Sequence, residues 1–165
     1  MSDLKNKAIF KIAIVKLSAM GDIIHAMVAL EYIKKQYPHI LIDWIVESTF
    51  AAVLENNPHI NNIYKVNLKE IKKDKLSVFN QIKIIKKYSK NNYDLVIDAQ
   101  GLLKSAIVAK LLKSKIAGFD KHSTREKIAS SFYHDKISIA YESNAIDRNV
   151  KVLSASLGFE ITKED

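Results

Sequence analysis

The chain has no cysteine among its 165 residues. That excludes disulfides, thiolate metal sites and a cysteine nucleophile. Glycine and proline are scarce, at four and two residues, while about half the chain is apolar. Such a composition belongs to a folded globular chain rather than a disordered or low-complexity one. No apolar run reaches the ~18 residues of a membrane-spanning helix. The amino-terminal stretch Met1–Lys7 has neither a long apolar segment behind it nor a small-residue cleavage site, so it does not read as a secretory signal. Several catalytic signatures are missing too. There is no G-x-G-x-x-G, no phosphate-binding P-loop, no H-E-x-x-H, no G-x-S-x-G elbow and no paired metal-ligand spacing. These absences fit a cytoplasmic protein with no metal centre. Arginine is also rare: Arg125 and Arg148 stand against 24 lysines.

What the chain has in excess is positive charge, +8 net. Between Lys65 and Lys90 there are nine lysines and only two acids, Glu70 and Asp74. Such a patch suits an anionic partner, whether phosphorylated glycan, nucleic acid or anionic membrane. It is equally what a lysine-rich solvated surface looks like. The two arginines offer a planar fork that lysine cannot supply to carboxylate or phosphate. An ion pair within the domain is the plainer use of each.

Strand-like and helix-like segments alternate. Strands are expected at Lys11–Val15, Leu41–Val46, Ile63–Val66, Leu95–Ile97 and Lys115–Phe119, with an extended piece at Lys136–Ile139. Helices are expected over Asp22–Gln36, Thr49–Asn56, Leu76–Ser89, Leu102–Leu112, Arg125–Tyr133 and Ala145–Leu157. Asn67–Lys75 reads as a charged loop. Asn144 is placed to cap the last helix and Gly158 to end it. The alternation predicts an α/β fold with a parallel sheet and helices on both faces, in a single domain.

Right-handed crossovers place the carboxyl ends of parallel strands on one rim. There the sequence collects Ser18, Gly21 and Asp22, then Glu47 and Ser48, then Asp98 and Gln100, then Asp120 to Arg125. Asp22 begins a helix, so its carboxylate is either an N-cap or a general base. Asp98 is placed to anchor its own Gln100-Gly101 turn. His25 lies one helical turn past Asp22 and reads as a packed or surface residue.

Ile14-Val-Lys-Leu-Ser-Ala-Met-Gly-Asp-Ile-Ile-His25 resembles the opening of bacterial ADP-heptose:lipopolysaccharide heptosyltransferases, in particular the heptosyltransferase I branch. Further matches run in order along the chain: Ile42–Glu47, Tyr93–Ser105, Gly118–Asp120, Thr124–Glu126 and Ala129–Tyr133. The resemblance implies a Rossmann-like sheet forming the amino-terminal half of a GT-B glycosyltransferase. Residues 1–165 are then one acceptor-binding domain, and the nucleotide-sugar domain is a second one outside this chain. It implies inverting transfer of heptose from ADP-heptose to the Kdo unit of the inner core, with no cofactor and no metal. Asp22 matches the family's proposed general base. Ser18, Ala19, Met20 and Gly21 would form a turn near the donor phosphates. Lys72, Lys73 and Lys75 fall where the family has basic residues that contact its anionic acceptor, although Asp74 interrupts them here. Arg125 and Gln100 are likewise assigned to the acceptor. The family's His-Ala is Asn144-Ala145 here, so the role of that His does not carry over. The partners implied are Kdo-lipid A and ADP-heptose, with peripheral contact at the cytoplasmic face of the inner membrane and no nucleic acid. This half alone is expected to be nearly inactive.

The alternative is a flavodoxin-like binding or signalling module for an anionic ligand. A receiver-like domain would want an acidic pair after the first strand, where this chain has Lys16-Leu17-Ser18. A nucleic-acid binder is disfavoured because the usual basic-and-aromatic motifs are missing.

Overall fold

The computed structural model describes residues 10–162, 164 and 165; the Met1–Lys7 stretch lies outside them. Six strands pair in parallel: β1 (Lys11–Val15), β2 (Leu41–Glu47), β3 (Asn62–Val66), β4 (Leu95–Asp98), β5 (Ile116–Phe119) and β6 (Asp135–Ile137). Their order is β3-β2-β1-β4-β5-β6. The chain works outward from β1 to β3, crosses back to β4, and works outward the other way. The reversal lies between β1 and β4, and in open α/β sheets ligands bind outside the strand ends at that point.

Among the described residues five α-helices accompany the sheet, four between strands and the last after β6: α1 (Met20–Gln36), the single turn α2 (Glu70–Lys73), α3 (Ser77–Tyr88), α4 (Leu103–Leu111) and α5 (Ala145–Ser156). Successive strand residues point to opposite faces, and both faces are apolar. Ile12, Ile14, Trp44 and Ile97 lie under α1 and α5, which contribute Ile23, Ala26, Leu30, Ile33, Val152 and Leu153. Ala13, Val15, Val96 and Ile116 lie under α3 and α4, with Ile85, Ala106 and Ala109. The spacing of Ile23, Ala26, Leu30 and Ile33 is the helical period that lets α1 seal one face. Fully burying a side chain of this size stabilises by about 1.5–3 kcal/mol, so the doubly covered sheet is the rigid part of the molecule.

Some segments differ from their sequence reading. Helices expected at Thr49–Asn56 and Arg125–Tyr133 are 3-10 segments, Ser48–Leu54 and Lys127–Phe132. Both close with the tighter i→i+3 bonds, such as Glu55 N to the Ala52 carbonyl (3.2 Å) and Ala129 N to the Glu126 carbonyl (3.0 Å). The loop Asn67–Lys75 contains α2. It is tied down at its start, where Gln81 accepts from Asn67 N (2.8 Å) and Glu47 from Leu68 N (3.1 Å). The extended piece near Lys136 is a sixth strand, with Ala117 opposite Asp135 and Phe119 opposite Ile137. The last helix behaves as read. The Asn144 side chain accepts from Asp147 N (2.8 Å).

Candidate functional site at the sheet reversal

A cleft of about 240 Å³ opens where β1 and β4 end, closed on one side by the start of α5. Its walls include Lys16, Asp22, Gln100, Phe119, Arg148 and Asn149. Each owes its place to the strand or helix that carries it. Lys16 and Gln100 follow neighbouring strands, Asp22 sits in the first turn of α1, and Arg148 and Asn149 project from α5.

Asp22 is not a cap. Helix α1 starts at Met20, two residues before the expected boundary, because the Ala19 carbonyl already accepts from Ile23 N (3.0 Å). The N-cap is Ala19, and no side chain caps the helix. Asp22 therefore occupies the third helical position, where an acid is favoured by the helix dipole. Its half-buried carboxylate faces the cleft and, among the described residues, forms no hydrogen bond.

Two cations share this cleft. Lys16 is only 6% exposed, and its Nζ donates to the Ala99 carbonyl (3.0 Å). Burial pulls its pKa below the ordinary lysine value; Asp22 and then Asp98 pull it back up, and Arg148 pushes it down. Among the described residues Arg148 pairs with no carboxylate. It donates to the carbonyls of Ser123, Ala140 (3.3 Å) and Tyr141 (3.4 Å), and its guanidinium stacks 4.9 Å from the Phe119 ring and 5.1 Å from that of Tyr141. The ion-pair reading of this arginine is thus replaced by a carbonyl-and-ring cradle, which suits a planar cation and not an ammonium.

Beneath the cleft lies a buried polar node. Asp98 is fully buried. Its Oδ1 accepts from Gln100 N (2.9 Å) and Gly101 N (3.1 Å), so the turn anticipated from the sequence is present. Its Oδ2 accepts from Ser105 Oγ (2.9 Å) and from the Tyr133 hydroxyl (2.5 Å). Burial pushes the Asp98 pKa up, and these four donors oppose it. Burial pushes the Tyr133 pKa up as well, reinforced by the charge of Asp98. Gly101 completes the turn at φ +72°, where a Cβ would stand 2.9 Å from Thr124 Oγ1. Gln100 in turn accepts from Leu17 N (3.2 Å) and Ser18 N (3.4 Å). The β4 turn thus holds the β1 turn, and with it the start of α1.

The remaining residues singled out from the sequence lie around this cleft or away from it. Ser18 is half-buried and Ala19, Met20 and Gly21 are exposed. The last two belong to the first turn of α1, and not to a preceding turn. A Cβ at Gly21 would meet nothing within 4 Å, so this helix start is open to close approach. Lys72, Lys73, Lys75 and Arg125 are exposed, and none lines the cleft with Asp22. They come after β3 and β5, on the same rim but to either side. His25 is half-buried with its Nδ1 sealed from solvent and unpartnered among the described residues. Glu47, at the end of β2, is 1% exposed. One oxygen accepts from Leu68 N, the other has no partner among the described residues, and burial pushes its pKa up. Among the described residues no group of three or more His, Asp or Glu side chains is placed to hold a metal.

The sequence reading missed Lys16 and Asn149 as walls of the cleft and Tyr133 as the partner of Asp98. Lys16 had a signal, since it is a charge directly continuing a run of four buried residues. Tyr133 had none, because its contact with Asp98 spans 35 positions.

Together these features define an open, doubly wound α/β domain with a charged cleft at its switch point. Residues 81–165 match the model of glycosyltransferase family 9 (heptosyltransferase). The chain belongs to that family, and its fold is that of the amino-terminal half of a GT-B glycosyltransferase. It is 42% identical over 147 residues to lipopolysaccharide heptosyltransferase 1 of Campylobacter coli, covering 89% of this chain and 42% of that protein. To the enzyme of the same name from Escherichia coli K12 it is 36% identical over 155 residues, covering 90% of this chain and 48% of that protein. The solved E. coli heptosyltransferase WaaC with ADP-2-deoxy-2-fluoro heptose superposes with a TM-score of 0.86 at 33% identity, over 93% of this chain and 50% of that one. The chain spans about half the length of the curated relatives it matches.

Proposed function

We propose that this chain is the acceptor-binding, base-bearing half of an inverting heptosyltransferase that moves heptose from ADP-heptose to Kdo of the lipopolysaccharide inner core. The observation that carries this reading is the uncapped carboxylate of Asp22, facing the switch-point cleft of a family 9 domain. The names of the relatives and the ADP-heptose analogue on the E. coli structure support the substrate class.

In this mechanism a Kdo hydroxyl enters the cleft and gives its proton to the Asp22 carboxylate. Its oxygen attacks the anomeric carbon of heptose. The bond from that carbon to the ADP oxygen breaks on the opposite side, and the electron pair leaves with ADP. The anomeric configuration inverts. A base placed within hydrogen-bond reach contributes about 10²–10⁴-fold. Lys16 and Arg148 supply fixed positive charge beside the reacting groups, in a partly water-excluded site where it is worth more than in bulk water. The open helix start at Ser18, Ala19, Met20 and Gly21 suits a donor phosphate. Lys72, Lys73, Lys75 and Arg125 meet anionic groups of Kdo-lipid A away from the reacting hydroxyl. Gln100 has its carbonyl committed to the β1 turn, which leaves its amide N–H groups for the acceptor. The protein acts at the cytoplasmic face of the inner membrane, and this half alone is nearly inactive.

The test is Asp22→Asn in the intact protein, assayed for heptose transfer. Turnover should fall about 10²–10⁴-fold, while stability falls only by about 0.3–1 kcal/mol, the helix-dipole share of a side chain that caps nothing. Wild-type turnover in this variant would remove Asp22 as the base.

A further inference from the structure

We propose that the outward face of α3 is a docking surface that lays this domain on an anionic lipid bilayer. Leu76, the N-cap residue of α3, is 74% exposed and Phe79 is 70% exposed. They are the most exposed large apolar side chains among the described residues. At about 100° per residue, Phe79, Lys83 and Lys86 fall opposite Gln81 and Ile85, the buried positions of this helix. Leu76 stands one turn before Phe79, and Lys90 continues the row just past the helix. One face therefore carries two apolar tips followed by lysines.

No acid occurs from Lys75 to Lys90. Among the described residues, no ion pair involves a lysine between positions 65 and 90. These charges are not neutralised within the domain. A basic helix face bearing Phe and Leu is the composition that lies in the headgroup region of an anionic membrane. The same charge disfavours a second copy of this chain as the occupant, because like patches repel. Nucleic acid is the weaker match. The two apolar tips protrude from a convex helix, whereas single strands are held in grooves with stacked aromatics.

Placement agrees with the chemistry. Helix α3 comes after the carboxyl end of β3, so its Leu76–Phe79 end lies on the same rim as Asp22. A lipid-borne acceptor would arrive from that side, and this last step rests on the function proposed above.

Flotation with acceptor-free vesicles tests the surface independently of transfer. The intact protein is mixed with vesicles of phosphatidylcholine alone or of phosphatidylcholine with phosphatidylglycerol. It should float only with the second. Leu76→Ser with Phe79→Ser should lower the floated fraction. Lys83→Gln with Lys86→Gln and Lys90→Gln should weaken binding about a hundredfold. Circular dichroism should show both variants folded, and both should keep wild-type turnover on a water-soluble Kdo glycoside. The proposal fails if the wild type ignores phosphatidylglycerol or if the folded variants float like the wild type. It also fails if these residues instead govern tight binding to a single-stranded oligonucleotide. Flotation that depends on phosphatidylglycerol, with no heptose transfer to any acceptor, would sink the transferase reading and leave this surface standing.

Discussion

Replacing Asp98 with Asn changes one buried atom from acceptor to donor while leaving the side chain's shape almost unaltered. The Asn carbonyl can keep the bonds from Gln100 N and Gly101 N. Its amide nitrogen then faces two hydroxyls that now donate to Oδ2. Ser105 has an escape, because its Oγ already lies 2.8 Å from the Leu102 carbonyl. Tyr133 has none, since its hydroxyl has Asp98 as its only hydrogen-bond partner among the described residues and the residue is 4% exposed. The loss is a charge-assisted bond to a buried donor that is left unsatisfied, about 1.5–3 kcal/mol. At about 2–4 °C per kcal/mol for a domain of this size, the melting temperature of the transition containing this domain should drop by roughly 3–12 °C. Tyr133→Phe removes the stranded donor, so adding it to Asp98→Asn should recover part of the loss. The pair should be non-additive by at least about 0.5 kcal/mol in urea unfolding. Amide exchange at Leu17 and Ser18, whose N–H groups are held by Gln100, should quicken in Asp98→Asn, because a neutral carbonyl anchors the Gln100 turn more weakly than a carboxylate does. Strictly additive costs with unchanged exchange would refute the reasoning.

Two further substitutions probe neighbouring features. A Cβ on Gly118 would come within 2.5 Å of Tyr133 Cε2 and 2.8 Å of Cζ. Gly118→Ala should therefore cost about 1–3 kcal/mol by overpacking in the wild type, and much less when Tyr133→Ala has removed the ring. Equal costs in both backgrounds, measured by urea unfolding, would show that the ring is not the obstacle. Glu47 has its pKa raised above the ordinary 4.5 by burial, opposed by the Leu68 N–H and by Lys104 and Lys69. Between 4.5 and that raised value the native state binds more protons than the unfolded one, so this group's contribution to stability is full in acid and is lost as pH rises through the raised value. Glu47→Gln keeps an acceptor for Leu68 N and cannot ionise. Its urea midpoint should gain on the wild type as pH rises from acid to neutral, and an offset constant with pH would count against the assignment.

The strands were readable where apolar residues fill both faces, as in Ile12–Val15 and Leu95–Ile97. β6 was only half readable, because Asp135-Lys-Ile is a mixed edge segment whose order comes from backbone partners such as Asp120 N to Ile137 O (2.9 Å). The Asp98 turn was legible because an Asx turn is local. Its lock by Tyr133 was not, since a hydrogen bond across the fold leaves no spacing to find. The start of α1 was misplaced because Ala19, Met20 and Gly21 give no cap signal while Asp22 gives a strong one. Backbone geometry overrode side-chain preference there and left the acid without a capping role. Arg148 was visible only as a rarity. Its carbonyl-and-ring cradle assembles from Phe119, Ser123, Ala140 and Tyr141, on segments the sequence could not bring together.

Two buried charged side chains, Asp98 and Lys16, meet at one joint of the domain. Their burial is weak evidence for stability, since apolar replacements of similar volume often do as well. What the two side chains do is tie β1 to β4 at the point where each turns outward. Lys16 reaches across to Ala99. Asp98 fixes Gln100, and Gln100 fixes Leu17 and Ser18. Just beyond them α1 opens, and its third residue is Asp22. A reacting carboxylate must be held to within about 0.5 Å of its productive position, and a side chain free of hydrogen bonds cannot do that for itself. Its backbone must be immobile instead. For Asp22, the base proposed above, the buried charges below the cleft are best understood as the means of that immobility: they fix its backbone from beneath and leave its oxygens unclaimed.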